Sequence, residues 1–339
     1  MVTLREIAKA VGVSSATVSR VLNFDATLAV SAETRRAVLE KAESLNYETP
    51  RHRKKKLERQ IGNIILVHFL SPDQELVDPY YVGLRLGVER RCQRHGIEIA
   101  KIYSNGQPLN AAVLRKAFGV IVVGQYRESG LEWLASNCKH LVFADFCPDS
   151  DEYDCVQNDL VHATLKLVDA LAAMDYRRIA FIGWANSRGD GPYDEARCRT
   201  YIEWAKKRGL FDQKLCLIGR NNEESGYELA LKLLRRPKRP DAIVTASDNM
   251  AVGVYRALHE RGIEIGKDIA VSSFNDISAA QFLHPPLSTI RLPSEEIGET
   301  AVDLLLERAA GRDIGKQVTL ASQLIWRSST RNPGRAAKA

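Results

Sequence analysis

Residues 3–23 read TLREIAKAVGVSSATVSRVLN, and this stretch decides how the chain begins to fold. Apolar residues recur at helical spacing in Leu4–Val11, which predicts a first short helix. Gly12 can supply a tight turn, and Ser14 is a suitable N-cap for a second helix that ends at Leu22. The stretch therefore predicts two helices joined by a short turn, a helix-turn-helix.

The outward face of the second helix is suited to DNA recognition. It carries short side chains at Ser15, Ala16 and Ser19, beside the long side chain of Arg20. Short residues let a helix enter the major groove, where an arginine can donate two hydrogen bonds to O6 and N7 of guanine. An ordinary helical hairpin with a solvated arginine is the alternative interpretation.

The positive charge of the chain is concentrated at its beginning. The 339 residues carry a formal net charge of +6, and residues 1–60, with 12 Lys and Arg against 7 Asp and Glu, account for +5 of it. Ser31 begins a third predicted helix that runs to about Leu45, so residues 1–47 are expected to form a helix-turn-helix DNA-binding domain. A basic head on a nearly neutral body indicates a polyanionic partner, here double-stranded DNA.

Residues 48–60 differ in character and are interpreted as a hinge. Seven of the nine residues after Pro50 are basic when His52 is counted. Such a helix repels itself unless phosphates neutralise it, so we expect this segment to fold only on DNA. A solvated basic linker is the alternative.

From residue 61 onward, apolar runs typical of strands alternate with helical stretches. This alternation predicts parallel sheets with right-handed helical crossovers. Strands are predicted at Ile61–Phe69, Ile97–Tyr103, Val120–Val123, Leu141–Phe146, Val156, Ile179–Ile182, Leu215–Ile218, Ala242–Thr245 and Ile269–Phe274. Helices are predicted at Tyr80–His95, Leu160–Met174, Ala196–Arg208, Gly226–Leu234 and Met250–Arg261.

Roughly a dozen strands are too many for one small sheet. We therefore expect residues 61–330 to form an effector-binding and dimerisation domain of two α/β halves, split near residue 160, with later crossovers near residues 290 and 320. Ligands bind such folds at the carboxyl ends of the strands, here in the cleft between the halves. Residues 331–339 contain Pro and Gly but no apolar heptad, which predicts a flexible tail and no tetramerising coiled coil.

Composition narrows the class of protein further. The chain is 45% apolar, enough for a sizeable core, yet its apolar runs fall far short of the roughly 20 residues that span a bilayer. The N-terminus lacks the apolar core of a secretion signal. We expect a cytoplasmic protein without a membrane partner, whose six scattered cysteines are buried, reduced thiols.

Common enzyme motifs are absent from the sequence. It contains no phosphate-binding glycine loop, no dinucleotide fingerprint and no nucleophile elbow, and its seven histidines lack metal-ligand spacing. We therefore expect no enzyme, no cofactor and no metal site. A periplasmic-type sugar-binding protein and a sugar-processing enzyme are the competing classes; the helix-turn-helix disfavours the first, and the missing motifs disfavour the second.

Residues 3–23 resemble the fingerprint of the lac repressor family of bacterial transcription regulators. The resemblance continues along essentially the whole chain, for example in RRIAFIG (177–183), ASDNMAVG (246–253) and WRSST (326–330). It implies a helix-turn-helix head, a basic hinge and a periplasmic-binding-protein-like α/β body of two parallel-sheet subdomains. It also implies a homodimer that binds a pseudo-palindromic operator and holds a small-molecule sugar effector in the cleft of each body.

The resemblance assigns site residues at matching positions. Bases are expected to be read by Ser15, Ala16 and Arg20. Phosphate contacts or helix caps are expected at Thr3, Ser14, Thr17, Ser19 and Asn23. The hinge contributes Arg53, Lys54, Lys55, Lys56 and Leu57. The effector-binding positions are Tyr80, Tyr81, Asp145, Trp184, Arg197, Asp248 and Asn275.

Several of these assignments have alternatives. Arg197 offers a forked donor that suits vicinal hydroxyls of a sugar, but it can equally be a surface helix residue. Asp248 can cap the helix predicted to begin at Met250 instead of touching ligand. Each of the three aromatic residues can stack on a sugar ring or belong to the core.

The chain departs from the family pattern in two places. Asn275 stands where many members carry Asp, so this position offers no charge to a ligand. Leu57 is the only leucine of the hinge and lies later than expected, so either the hinge helix is shifted by a residue or two, or the hinge acts mainly by charge and not by a leucine wedge in the minor groove. Within the family, the segments around Asp78–Tyr81 and Ser225–Ala230 are most similar to the branch that represses an evolved β-galactosidase operon, which implies a β-galactoside effector.

Overall fold

The computed structural model describes residues 3–25, 27–45, 47, 62–104, 108–124, 128–185, 191 and 193–331. The chain divides into two units, Met1–Gly62 and Asn63–Ala339, called here the head and the body. Outside the described residues lie the predicted tail after Arg331 and the hinge contacts Arg53, Lys54, Lys55, Lys56 and Leu57. Within the described ranges, no helix is both long and apolar enough to cross a membrane.

Three short helices form the head and confirm the predicted helix-turn-helix. They are α1 (Leu4–Val11), α2 (Ser15–Leu22) and α3 (Ala32–Ser44). Each begins at a side-chain N-cap whose hydroxyl accepts a backbone N–H of the first turn; the caps are Thr3, Ser14 and Ser31. Gly12 ends α1 with a φ of 72°, a left-handed conformation that glycine adopts without strain. The core of the head includes Ile7, Val18, Val21 and Val38, all fully buried.

The body contains two six-stranded sheets of the same topology. The first sheet, the N-half, consists of β1 (Ile64–His68), β2 (Ile99–Tyr103), β3 (Gly119–Val123), β4 (Leu141–Ala144), β5 (Asp154–Asn158) and β11 (Gln317–Leu320). The second, the C-half, consists of β6 (Ile179–Trp184), β7 (Cys216–Gly219), β8 (Ala242–Thr245), β9 (Ala270–Asn275), β10 (Ser288–Arg291) and β12 (Gln323–Ile325). The strand orders are β11-β5-β4-β3-β1-β2 and β12-β10-β9-β8-β6-β7. All neighbouring strands run parallel except β10 and β12.

Helices cover both sheets. They are α4 (Pro72–Leu76), α5 (Pro79–Arg94), α6 (Ala111–Lys116), α7 (Glu128–Asn137), α8 (Leu160–Ala173), α9 (Ala196–Lys207), α10 (Glu223–Leu234), α11 (Asp248–Glu260) and α12 (Ser294–Ala309). Two short 3-10 helices lie at Gln213–Leu215 and Ser278–Gln281. The chain passes between the halves after β5, after β10 and after β11, so α8 packs on the C-half and α12 on the N-half. The predicted fold of two parallel-sheet subdomains is confirmed.

Close helix pairs stabilise each half in the same way. In the N-half, a side chain on Gly87 of α5 would overlap the backbone carbonyl of Glu295 in α12. In the C-half, a side chain on Gly253 of α11 would overlap the carbonyl of Glu223 in α10. Glycine at these two positions lets the helix backbones approach one another.

The structure corrects the prediction for one pair of cysteines. Cys147 and Cys155 form a disulfide, so they are not reduced thiols. Because β4 and β5 are neighbouring parallel strands, they bring these two residues to a Cα–Cα distance of 5.2 Å, which a disulfide spans. Spacing along the chain gave no sign of this contact, because it depends on strand pairing. The remaining cysteines, Cys92, Cys138, Cys198 and Cys216, are free.

Candidate DNA-reading helix and effector cleft

Helix α2 exposes two of the three side chains predicted to read bases. Ala16 and Arg20 are exposed on the side of α2 opposite to the buried Val18 and Val21, and Ser15 is half-buried between them. A face of small side chains with one exposed guanidinium suits the major groove. Their contacts with bases stay a prediction.

The head also explains why small polar residues flank α2. Ser14 Oγ accepts the backbone N–H of Thr17 at 3.0 Å, and Asn23 Nδ2 donates to the carbonyl of Ser19 at 2.9 Å. Thr3 caps α1 in a reciprocal arrangement with the side chain three residues later. These residues therefore act as caps within the head, and their phosphate contacts stay predictions.

Arg20 is bound by the loop that follows α2, a contact that the sequence reasoning missed. Its Nε donates to Asp25 Oδ2 at 2.7 Å, and its Nη2 donates to Thr27 Oγ1 at 2.9 Å. The hydrogen bond from Arg20 is the main cause that lowers the pKa of Asp25 to about 2. The Asp-x-Thr spacing, which favours a local turn closed by the aspartate side chain, was the available signal.

Asp145 supplies a carboxylate from the N-half to the cleft. It follows the carboxyl end of β4 with a φ of 62°. Its Oδ1 accepts the hydroxyl of Tyr80 at 2.6 Å, its Oδ2 accepts that of Tyr81 at 3.1 Å, and Asn158 Nδ2 donates to the Tyr80 hydroxyl at 2.7 Å. Burial raises the pKa of Asp145, while these tyrosines and the charge of Arg197 act in the opposite direction. Tyr80 is buried in the core, so it orients the carboxylate and does not offer its ring for stacking.

Arg197 supplies the cation from the C-half. It is the second residue of α9 and only 7% exposed, so the alternative of a surface helix residue is wrong. Its Nε donates to Glu195 Oε1 at 2.9 Å, and its Nη1 donates to the carbonyl of Ala246 at 2.8 Å. Its guanidinium lies over the ring of Trp184, 4.5 Å from the centroid, and 5.5 Å from that of Phe274. These contacts fix a buried cation whose Nη2 donates to no described residue.

Two further predicted positions end strands of the C-half. Trp184 ends β6 and Asn275 ends β9, the latter with a φ of 112°. Both side chains are half-buried. A positive φ on a residue other than glycine is uncommon and is found preferentially at functional sites.

Asp248 requires a correction. The N-cap of α11 is Ser247, whose side chain accepts the N–H of Met250, so the capping alternative for Asp248 is wrong. Asp248 is fully buried, and its two oxygens accept the N–H of Ile277 at 2.8 Å and the hydroxyl of Thr289 at 2.8 Å. Because no part of it is exposed, unlike the half-buried Asp145, Asp248 joins α11 to β10 and to the segment after β9 and does not face a ligand.

A cavity of about 470 Å³ opens between the halves, a size typical of small-ligand sites. Its lining from the N-half includes Asp145, Phe146, Gln157 and Asn158, and its lining from the C-half includes Asp194, Glu195, Ala196 and Arg199. Asn158 Oδ1 and Asp194 Oδ2 are buried there without a hydrogen-bond partner. The sequence reasoning missed both residues, although Asn158 ends a strand and Asp194 shortly precedes α9. Among the described residues, no group of His, Cys, Asp and Glu side chains is arranged to hold a metal ion.

Comparison with known proteins finds two family models that match parts of the chain. Residues 3–50 match the family model for bacterial regulatory proteins of the lacI family, and residues 168–330 match that for a periplasmic binding protein-like domain. The chain is 35% identical to the HTH-type transcriptional repressor MelR of Bacillus subtilis (strain 168), over 97% of both chains. It is 60% identical to the lactose operon repressor of Rhizobium radiobacter over 110 residues, which cover 32% of this chain and 97% of that protein. The structure of the lac repressor dimer bound to operator and the anti-inducer ONPF has a TM-score of 0.68 at 23% identity, covering 97% of this chain and 99% of that one.

A helix-turn-helix head joined to a body that resembles periplasmic binding proteins defines a transcription regulator, not an enzyme. The chain belongs to the lacI family of bacterial regulatory proteins. The predicted family is thereby confirmed: the protein is a DNA-binding repressor of the kind that controls sugar operons, and the family binds DNA operators and sugar effectors.

Proposed function

We propose that this repressor acts in the cytoplasm as a homodimer on a pseudo-palindromic operator of sugar-utilisation genes, with one sugar effector in each cleft. The observation that carries the proposal is that Asp145 of the N-half lines the cavity, while Arg197 of the C-half pairs with Glu195, which also lines it, and its charge acts on the Asp145 carboxyl group. A forked cationic donor and a carboxylate acceptor together suit vicinal hydroxyls. A ligand held by both halves favours one arrangement of them, which shifts the population of bodies that are competent to bind DNA.

The charges of the cleft favour a neutral sugar. Asp145, Asp159 and Asp194 line the cavity with carboxylates and outnumber the exposed Arg199, whereas Arg197 is already engaged by Glu195 and a backbone carbonyl. Carboxylates at this density repel a phosphorylated or acidic sugar and accept hydrogen bonds from hydroxyls. We propose a β-galactoside as the effector, and the relative named as a lactose operon repressor supports this choice.

On the DNA side, α2 is proposed to enter the major groove. Arg20 contacts guanine, and Ser15 and Ala16 contact neighbouring bases, because they share the outward face of that helix. The proposed phosphate contacts are Thr3, Ser14, Thr17, Ser19 and Asn23, joined in the hinge by Arg53, Lys54, Lys55 and Lys56, with Leu57 at the minor groove.

A dimer is supported by large apolar side chains that the body leaves exposed. Leu76 is 77% exposed, Val77 65% and Phe282 80%. Hydrogen bonds connect the segments that carry them: Asn249 Nδ2 donates to the carbonyl of Val77, and the neighbouring Asp248 accepts the N–H of Ile277, five residues before Phe282. Exposed apolar groups of this kind mark interaction surfaces.

Sedimentation of charge-introducing variants tests the dimer. We expect wild type to sediment as a dimer and Leu76→Asp with Phe282→Asp to sediment as a monomer that binds operator weakly. Ile314→Asp is the matched control: Ile314 is 79% exposed but lies near the amino end of β11, at the opposite edge of the strands. A double variant that stays dimeric would contradict the proposed interface.

Fluorescence anisotropy tests the function as a whole. The probe is a duplex selected by the full-length protein from a random pool, titrated with protein in the presence of lactose or galactose 6-phosphate. We expect lactose to change the operator Kd and the phosphorylated sugar to leave it unchanged. An equal response to both sugars would contradict the neutral effector, and turnover of lactose would favour an enzyme.

A further inference from the structure

A closed set of hydrogen bonds surrounds the side chain of Arg20. Besides the bonds from Arg20 to Asp25 Oδ2 and Thr27 Oγ1, Thr27 donates to Asp25 Oδ1 from its backbone N–H at 2.9 Å and from its hydroxyl at 2.7 Å. The backbone N–H of Asp25 donates to the carbonyl of Arg20 at 3.0 Å. Asp25 and Thr27 thus hold each other as well as Arg20, and we call this arrangement the arginine clamp.

The clamp decides which donors of Arg20 are available. A guanidinium has five N–H donors. The clamp uses the one on Nε and one of the two on Nη2, which leaves the other Nη2 donor and both donors on Nη1. A bidentate contact with guanine can be made by the Nε edge or by the Nη1–Nη2 end. The clamp occupies the edge and leaves the end available, on a side chain that is 46% exposed.

We propose that Asp25 and Thr27 are positioning residues that set base specificity, by holding Arg20 so that only its Nη1–Nη2 end meets the DNA. This inference rests on the proposed contact of Arg20 with guanine. A side chain that is ordered before binding loses less conformational freedom on binding, which increases affinity. This increase in affinity arises only where the base offers two acceptors in the matching geometry. The clamp therefore favours guanine over the other bases.

The clamp also lowers affinity for DNA of unrelated sequence. The Asp25 carboxylate compensates the charge of Arg20 and repels phosphates, and this repulsion applies to every sequence alike. Phosphate contact through Nε would require the ion pair to break. Removal of Asp25 is thus expected to reduce discrimination between bases without a general loss of DNA binding.

The experiment measures Kd values of the full-length protein for the selected duplex and for all its single-base variants at one salt concentration. We expect Asp25→Ala to reduce the preference for guanine at one base pair of each half-site by roughly 3- to 10-fold. Asp25→Asn is the second variant, because its oxygen can still accept from Thr27 and keep the turn while the charge is lost. The matched control is Glu40→Ala, which removes the exposed ion pair of Arg36 and Glu40 on α3 and should leave discrimination unchanged.

Arg20→Ala separates failure of the clamp from failure of the base contact. Suppose that Arg20→Ala reduces the base preference at one base pair, whereas both Asp25 variants keep that preference and are folded by circular dichroism. The clamp is then overturned and the base contact stands. If Arg20→Ala relaxes no position, both are overturned. Tighter binding of Asp25→Ala to the operator with unchanged discrimination would make the ion pair an inhibitory contact and overturn the proposal. The proposal is supported if the double variant Arg20→Ala with Asp25→Ala discriminates between bases no less than Arg20→Ala alone.

Discussion

The two halves of the body repeat one topology but present different chemistry to the cleft. β1 to β5 and β6 to β10 follow the same order in their sheets. Helix α5 after β1 and helix α9 after β6 both begin at a carboxylate N-cap, Asp78 and Glu195. The second residue of the helix is Tyr80 in the N-half and Arg197 in the C-half. Equivalent backbone positions therefore carry a hydroxyl in one half and a cation in the other.

The third strand from the edge of each sheet also has an equivalent backbone position with a different side chain in each half. Asp145 follows β4 and Asn275 ends β9, and both have a positive φ, 62° and 112°. The backbone is thus held at both strand ends in a conformation that is uncommon for residues other than glycine and that costs energy. Repetition of the backbone, combined with divergence of the side chains, lets the N-half supply a charged acceptor and the C-half a charged donor.

Removal of the cation is expected to have the largest effect. Arg197→Ala takes away the donor and leaves Glu195 buried without its partner, a change that costs about 3–5 kcal/mol of stability when a buried pair is broken. We expect the effector to lose its influence on operator affinity, while operator binding without effector stays near the wild-type value. Anisotropy titrations with and without lactose measure both quantities.

The control for Arg197→Ala is a double variant that leaves no unpaired charge at Glu195. Arg197→Met combined with Glu195→Gln removes both charges, so it should fold more stably than Arg197→Ala, as thermal melting would report, and still lose the response. A response at the wild-type lactose concentration in either variant would contradict the assignment of Arg197.

Exchange of the carboxylate and the amide tests the comparison directly. Asp145→Asn removes the charged acceptor, and hydrogen bonds to charged groups contribute about 1.5–3 kcal/mol, so effector affinity should fall roughly 10- to 150-fold. Asn275→Asp adds a charge at the related strand end and should strengthen binding of a sugar whose hydroxyl lies there, because charge-assisted bonds are stronger. Calorimetric titration with lactose measures both, and unchanged affinity in Asp145→Asn would exclude it as a ligand-binding group.

Much of the fold of the two halves was predictable from the sequence, for physical reasons. Alternating apolar runs predicted nine strands within a few residues, because buried parallel strands read as continuous apolar segments. The short strands β10, β11 and β12 were not individually predicted, since three or four residues carry little pattern and β11 and β12 are also partly exposed. Asp145 and Arg197 were found through the family resemblance.

The partners of these residues were not predictable, because they depend on tertiary contacts. Tyr80 and Asp145 lie 65 positions apart, and Arg197 and Ala246 lie 49 apart. Asp248 was misjudged for a related reason: the pattern Ala-Ser-Asp-Asn offers several capping residues, and only the backbone of Ser247 decides between them.

Buried carboxylates extend the comparison of the halves to pH dependence. In the N-half, burial of Asp154 is outweighed by hydrogen bonds from Arg312 and Arg308, which lower its pKa. In the C-half, burial dominates and raises the pKa of Asp248 to about 7, although Thr289 donates to it. Cations thus favour the charged form of the buried carboxyl group in one half, whereas burial disfavours the charged form in the other.

The two groups predict opposite responses of stability to pH. The folded state binds the Asp248 proton more tightly than the unfolded state, so this contribution is complete below the ordinary pKa of 3.8 and declines as pH rises to about 7. Asp154, whose pKa is lowered, contributes at neutral pH and loses that contribution as pH falls through its lowered pKa. Urea unfolding between pH 2 and pH 8 should show that the free energy of unfolding of Asp248→Asn rises, relative to that of wild type, as pH increases from about 4 to about 7. Asp154→Asn should be most destabilised, relative to wild type, near neutral pH, and parallel profiles would contradict the contrast.

The smallest expected effect concerns the aromatic face beneath the cation. Trp184 ends β6, whereas the N-half ends β1 with His68, a buried ring whose Nδ1 accepts the N–H of Leu70. Of these two strand ends, the one in the C-half sets an aromatic face under a guanidinium, with the Trp184 centroid 4.5 Å from Arg197. Cation–π contacts contribute about 0.5–2 kcal/mol, so Trp184→Leu should weaken lactose binding by roughly 2- to 30-fold. Trp184→Phe keeps a ring with a weaker quadrupole, so its affinity for lactose should lie between those of wild type and Trp184→Leu. If Phe binds lactose no better than Leu, Trp184 acts through packing alone, and the half-to-half difference lies in the cation and not in its aromatic support.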